Sequence, residues 1–416
     1  MGFSDLWRRE VGVGIRGSVG FFITSVASAI AAASALKVSV VQSYVMSLTG
    51  LGSSYYMYVP IVQGFISLLS LYVGFLSDVR RSRKSLVADG ALVMIAGVVF
   101  LSISVRYALG GLALAASVSI FILGIYITEV PILACIVDAY PPIKRVSVSS
   151  RVVYFIIFTS FITCMLYSSL ILLFNWRVFS VTSLASLIIG TLALLGIVAV
   201  EEVRVEGVRR SFSSYVRRLF RGGYALKYLI FVFSTYVIVV TLALTTQYLI
   251  TELTRHTYVP LGTTLPKGTY LDFTSLYVLF NVTALVGAAT FPHIYEYLGP
   301  NVTPPLAVAL FFLPLTATAL RVGLGTAYLL ALISGFGGGL TLALAIMYPA
   351  LNAEPETAAG WFAIYEVGGG ASYIVVPTLL HITLSLVRSY VVAVPAIVTA
   401  FGIAALVTAV LTYSAE

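Results

Sequence analysis

GFLSDVRRSRK, residues 74–84, closes a long apolar run and packs one acid and four bases into its last seven residues. The whole chain is only 10% charged, so such a concentration needs a cause. A basic cluster directly after an apolar stretch is the pattern of a membrane-crossing segment ending on the side where lysine and arginine accumulate.

The rest of the sequence has the same character. Of 416 residues, 60% are hydrophobic, too many to be covered by polar surface in water, so the natural solvent is lipid. About 20 apolar residues are needed to cross ~30 Å of hydrocarbon. Twelve stretches qualify, near 17–38, 53–76, 85–105, 112–138, 148–173, 177–200, 228–250, 272–292, 303–320, 326–350, 360–381 and 388–412. They read as helices, which satisfy their own backbone hydrogen bonds. AIAAASA in the first stretch has the small residues of a signal-cleavage site, but the run is longer than a signal's apolar region.

Several chemistries have no residues to carry them. Cys135 and Cys164 both fall inside apolar spans, and His256, His293 and His381 lie in three separate regions. No disulfide framework, metal centre, cofactor site or nucleophile–base set is expected. Four asparagines and three glutamines are few, a weak sign of a hot habitat because those side chains are thermolabile.

The distribution of bases orients the chain. With both termini in the cytoplasm, inner segments collect 17 lysines and arginines and outer segments 7. The net charge of +8 is then topology plus attraction to anionic lipid headgroups, and no nucleic-acid partner is needed. The expected location is the plasma membrane. The longest inner connection, about 201–227, contains SFSSYVRRLF, with apolar and basic residues at helical spacing. It reads as a tether between two halves or an amphipathic helix on the membrane face.

Those halves repeat. An offset of 214 lays Gly124 on Gly338, Asp138 on Asn352 and Pro141 on Pro355, and at 218 Glu296 echoes Asp78. The division is an N-terminal bundle over 1–200, a linker over 201–227 and a C-terminal bundle over 228–416, as in transporters built from duplicated bundles.

Here the residues resemble the major facilitator superfamily of secondary transporters. The loop after its second span reads G-x-L-A-D-R-x-G-R-R/K, matched by Gly74, Leu76, Asp78 and Arg83 but not by Val79 and Arg81. NWRVF at 175–179 is similar to the family's G-W-R-x-x-F. Asp138 followed seven residues on by Arg145 resembles the acid-x6-Arg signature of sugar porters. The resemblance implies an all-α protein of twelve transmembrane helices in two six-helix bundles, a rocker-switch cycle and a solute site at the midplane. Two family motifs are absent: Ile120 stands where R-x-x-Q-G would place arginine, and the fifth span lacks glycine and proline.

The four bases of the opening stretch anchor an inner loop, but positive-inside bias gives no reason for Asp78. It can pair with Arg80, Arg81 or Arg83, or face the positive end of a helix from the other half. In the family this aspartate holds the inner side shut, so an inner gate of Asp78, Arg80, Arg83, Asp138, Arg145 and Arg151 is expected.

Ionisable residues within spans are functional candidates, because exposing one to lipid costs at least ~2.5–3.5 kcal/mol. Glu129 lies nine residues from Asp138, ~13–14 Å deeper along a helix, where a carboxyl can take and release a proton or bind substrate. Glu366, in YEVGGG, falls at a depth similar to Arg151 by the repeat, as a gate residue or second proton site. Lys37 is ~30 Å from Arg16 along the first span and is expected to snorkel to outer headgroups, with a cavity role as the alternative. Tyr126, Tyr154 and Gln247 are further cavity candidates.

The sequence therefore predicts a secondary transporter of a small organic solute, with protons as coupling ion, working as a monomer among membrane lipids. Efflux of lipophilic or cationic compounds is the alternative. A channel is disfavoured by the lack of a filter-like loop or charge ring, and an enzyme by the lack of a catalytic set.

Overall fold

The computed structural model describes residues 3–37, 58–80, 83–109, 111–172, 174, 176–200, 211–221, 223–256, 267–317, 324–387 and 390–413. Among them the chain is helical with short turns. In chain order the helices are α1 (Phe3–Leu36), α2 (Tyr58–Leu68), α3 (Ser70–Val79), α4 (Arg83–Arg106), α5 (Gly111–Ala139), α6 (Pro142–Leu172) and α7 (Val178–Ala199). A short α8 (Phe212–Leu219) leads to α9 (Tyr224–His256), α10 (Lys267–Ala317), α11 (Leu324–Asn352), α12 (Ala358–Val387) and α13 (Tyr390–Tyr413).

Eleven described segments are long and apolar enough to cross a bilayer. One of them, Leu276–Ala317, is 42 residues long and must double back. It does so at Gly299, whose φ of 77° is open to glycine but costly for residues with a Cβ. Pro300 follows directly, and α10 therefore supplies the eighth and ninth crossings. With α2 and α3 joined as the second, the structure has twelve crossings, at the places read from hydropathy. The region opposite the basic loops between the first two crossings lies outside the described residues.

Helices approach closely where side chains are small. A Cβ on Gly124 would sit 2.2 Å from the Met94 backbone, bringing α4 and α5 together. In the second half a Cβ on Gly337 would meet the backbone of Leu310 and Phe311 at 2.4 Å. That position is one residue from Gly338, the repeat partner of Gly124. The same device joins the halves along α2–α3 and α12. A Cβ on Gly74 would lie 2.9 Å from the Ala359 carbonyl oxygen, and one on Gly370 would overlap the Ser67 hydroxyl.

Candidate functional site

Two groups of buried charge lie along this seam. The first is at the face carrying the basic loops. Asp78, 2% exposed, ends α3 and points at the start of α12. The amides of Ala359 and Gly360 donate to its two carboxylate oxygens at 3.1 Å each. The carboxylate thus acts as an N-cap supplied by the other half, satisfying free N–H groups and lying at the positive end of the helix dipole.

Arg83 completes the group. It is wholly buried, lies 3.0 Å from Asp78, donates to the Ser77 hydroxyl at 2.7 Å and bonds Asp138 through Nε. A guanidinium fork can hold two carboxylates and a hydroxyl at once, where a lysine would act as one point charge. Asp138 therefore pairs with Arg83. Arg145 instead donates to three carbonyls: Tyr140 and Val137 in its own half, and Ala350 across the seam at 2.9 Å. Ala350 belongs to the last turn of α11, the negative end of that helix. An acid and a base of the first half thus each grip a helix end of the opposite sign in the second.

Two expected members stand elsewhere. Arg80 is exposed and lies 3.8 Å from exposed Asp89, a contact worth at most ~1 kcal/mol. Arg151 is exposed and borders a separate cavity with Gly20, Phe21 and Tyr140, within the first half. The repeat fixed its depth but not its direction, since residues on one helix point round the full circle. Glu296 is exposed too, so the echo of Asp78 in the second half makes no matching cap.

One member was not foreseen. The linker helix α8 turns Tyr215 into the cluster, where its hydroxyl donates to Asp78 at 2.6 Å. Burial first, and then the Asp78 carboxylate, push the Tyr215 pKa well above the phenol range, so the hydroxyl stays a donor. On the other face of α8, Arg218 bonds Glu354 at 2.5 Å and Glu356 at 2.8 Å, just before α12. The helix is thus docked against both halves rather than left as a tether. Its sequence signal is apolar spacing: Tyr215 and Leu219 are four apart and both buried.

Asp78→Asn removes the charge that caps α12 and pairs with Arg83. Charged hydrogen bonds contribute ~1.5–3 kcal/mol, so the closed form of this face should lose about one to two decades of population. Tyr215→Phe should act in the same direction at ~1 kcal/mol. Spin labels at exposed Ile143 and Tyr297, one per half, would report both as longer distances in the order Asn over Phe over wild type. Unchanged distances in both variants would deny the cluster any closing role.

The second group lies deeper, around a cavity of about 330 Å3. Glu129 from α5 and Glu366 from α12 both line it, one carboxyl from each side of the seam. Glu366 lies eight residues into α12, ~12 Å of rise from the capped end, and lines the cavity of Glu129, whereas Arg151 borders a separate one. Lys37 is not snorkelled. It is 8% exposed, donates to Gln63 Oε1 at 2.7 Å and stands 5.4 Å from the centre of the Tyr373 ring. Gln63 from α2 gives the ammonium a buried partner, which the apolar sequence around Lys37 did not reveal.

Tyr126, expected at the cavity, lines it together with Gln63. Tyr236 and Tyr365, hydrogen-bonded through their hydroxyls, line the far wall. Tyr154 is half-buried and stacked on Phe158, away from the cavity. The side chain of Gln247 lies outside the described residues. Among the described residues no group of histidines, cysteines and acids could hold a metal.

No protein-family model and no curated protein matches the sequence. Solved structures do. The human organic anion transporter MFSD10 superposes with a TM-score of 0.67 at 12% identity, over 96% of this chain and 99% of that one. A bacterial homologue of the iron transporter ferroportin, outward-facing, gives 0.69 at 15%, over 97% and 100%. The transporter FucP in its outward conformation gives 0.69 at 16%, over 94% and 97%; a second structure of that protein describes it as the E. coli fucose:proton symporter. Twelve crossings joined along a seam of capped helix ends, and matched almost end to end by these transporters, give this chain the fold of the major facilitator superfamily.

Proposed function

We propose that the chain is a secondary active transporter that moves a small organic solute with protons by alternating access, as a monomer in the cell membrane with both termini cytoplasmic. The observation that carries this reading is the placement of Glu129 and Glu366, one carboxyl from each half, in the wall of one central cavity. While a proton sits between them, the two halves are joined at mid-depth. When it leaves, two like charges face each other in a site of low dielectric and drive the halves apart. Solute binding and proton occupancy then act on one equilibrium, which is what coupling requires.

The charged and titratable neighbours belong to the same cavity: Lys37 on α1, Tyr126 on α5, Tyr236 on α9, Tyr365 and Tyr373 on α12. On this reading the Asp78–Arg83–Asp138 cluster, with Arg145, is the gate on the cytoplasmic side. With its contacts made, the cavity is filled from the opposite face.

Proteoliposomes holding a pH-sensitive dye provide the test, with sugars, amino acids, organic acids, nucleosides and lipophilic cations added in turn. At least one solute should move protons in the wild type, and Glu129→Gln should abolish that movement while still allowing exchange of labelled solute. A transported solute that moves no protons, or moves them equally in Glu129→Gln, would end the coupling proposal. Proton movement opposite to a lipophilic cation would select efflux.

A further inference from the structure

The cavity has two poles of opposite charge, and neither is fully paired. Lys37 supplies one positive charge and uses one of its three N–H donors on Gln63. Glu129 and Glu366 line the same small cavity, where two like charges so close are costly, so with one proton between them they supply one negative charge. Among the described residues one carboxylate oxygen of Glu366 is buried without a hydrogen-bond partner, in a residue 7% exposed. Among the described residues Lys37 makes no salt bridge to either carboxyl, so the poles face each other across a gap. A buried charge or polar atom is costly unless paired, and leaving both poles short of partners is the mark of a site made for something else to complete.

We propose that the occupant is a small zwitterion of the neutral α-amino-acid class, with its carboxylate on Lys37 and its ammonium on the Glu366 oxygen. This rests on the reading of the cavity as a transport site. The chemistry follows from balance. Lys37 and the carboxyl pair already cancel, so a net cation or anion would leave an uncompensated charge in a dry site. A zwitterion adds no net charge and pairs both poles. At about 330 Å3 the space is at the small end of the ~300–1,000 Å3 range of ligand pockets. Its remaining wall of Tyr236, Tyr365 and Ile122 suits an apolar side chain more than a polyhydroxylated body.

The test uses purified full-length protein near pH 6.5, with alanine, leucine and phenylalanine, each alongside its amide (a cation) and its N-acetyl derivative (an anion). A ligand that binds only the folded state raises the melting temperature, and its affinity is read from how the shift grows with the logarithm of ligand concentration over Kd. At least one amino acid should bind, and both single-charge derivatives should bind at least about tenfold more weakly. Lys37→Met should erase the preference for the amino acid over its amide, and Glu366→Gln should weaken both.

The proposal fails if none of the three amino acids binds, or if an amide or N-acetyl derivative binds as well as its parent. The comparison within the wild type stands even if a variant does not fold. A sugar or lipophilic cation that drives proton movement in proteoliposomes, while no amino acid binds, would overturn the zwitterion and leave the transport reading intact. Absence of solute-driven proton movement would fail that reading instead.

Discussion

Arg83→Met should lower the melting temperature by ~5–10 °C. The side chain is wholly buried between Asp78, Asp138 and the Ser77 hydroxyl. Methionine fills much of the volume but leaves two carboxylates without their common cation. Removing one partner of a buried ionic group costs ~3–5 kcal/mol, and the temperature shift follows at roughly 2 °C per kcal/mol for a large chain. Arg83→Lys should recover part of the loss, because a point charge cannot reproduce the fork. The triple variant Arg83→Met, Asp78→Asn, Asp138→Asn should melt higher than the single one, since it removes the stranded charges as well. A single variant as stable as wild type would show that the cluster carries no net stabilisation.

Gly74→Val and Gly370→Val should each open the seam between the halves. At Gly74 even one added carbon would stand 2.9 Å from a backbone oxygen and 3.0 Å from the Ala363 Cβ, where nothing flexible can yield. At Gly370 the obstruction is Ser67 itself. Overpacking costs ~1–3 kcal/mol, and the strain exists only while α2–α3 lies against α12. The population should therefore shift toward the form open at the basic face by between about fivefold and a hundredfold, and on the proposed alternating-access cycle turnover should fall with it. Gly325→Val is the control, since nothing lies within 4 Å of an added carbon there. If the spin-label distance between Ile143 and Tyr297 matched wild type in both seam variants, close helix contact would not be holding this face shut.

What the sequence disclosed depended on whether a property repeats along the chain or is decided by direction round a helix. Span number follows from hydropathy, whereas the turn at Gly299 and the close approach at Gly124 came from the structure. Asp78 was legible because an acid in a basic loop has no topological reason, and capping a foreign helix was one of its two readings. Spacing along a helix gives a depth for Glu129 and Glu366, but nothing in the sequence showed that the two line one cavity. Direction was not legible at all: Arg80 and Arg151 have the charge and depth of gate residues but point outward. Lys37 needed Gln63, 26 positions away, to hold it inside. Tyr215 escaped notice because a phenol carries no charge to mark it.

The linker helix has a kinetic consequence. Because α8 is joined by the chain to both halves, its contacts with Asp78, Glu354 and Glu356 re-form as intramolecular events. A short tether gives an effective concentration in the millimolar range. Contacts too weak to hold a free peptide can therefore hold this helix, and it is not lost where they break. Cutting the chain within 201–210 would remove one of its two tethers and leave α8 joined by the chain only to α9 of the second half.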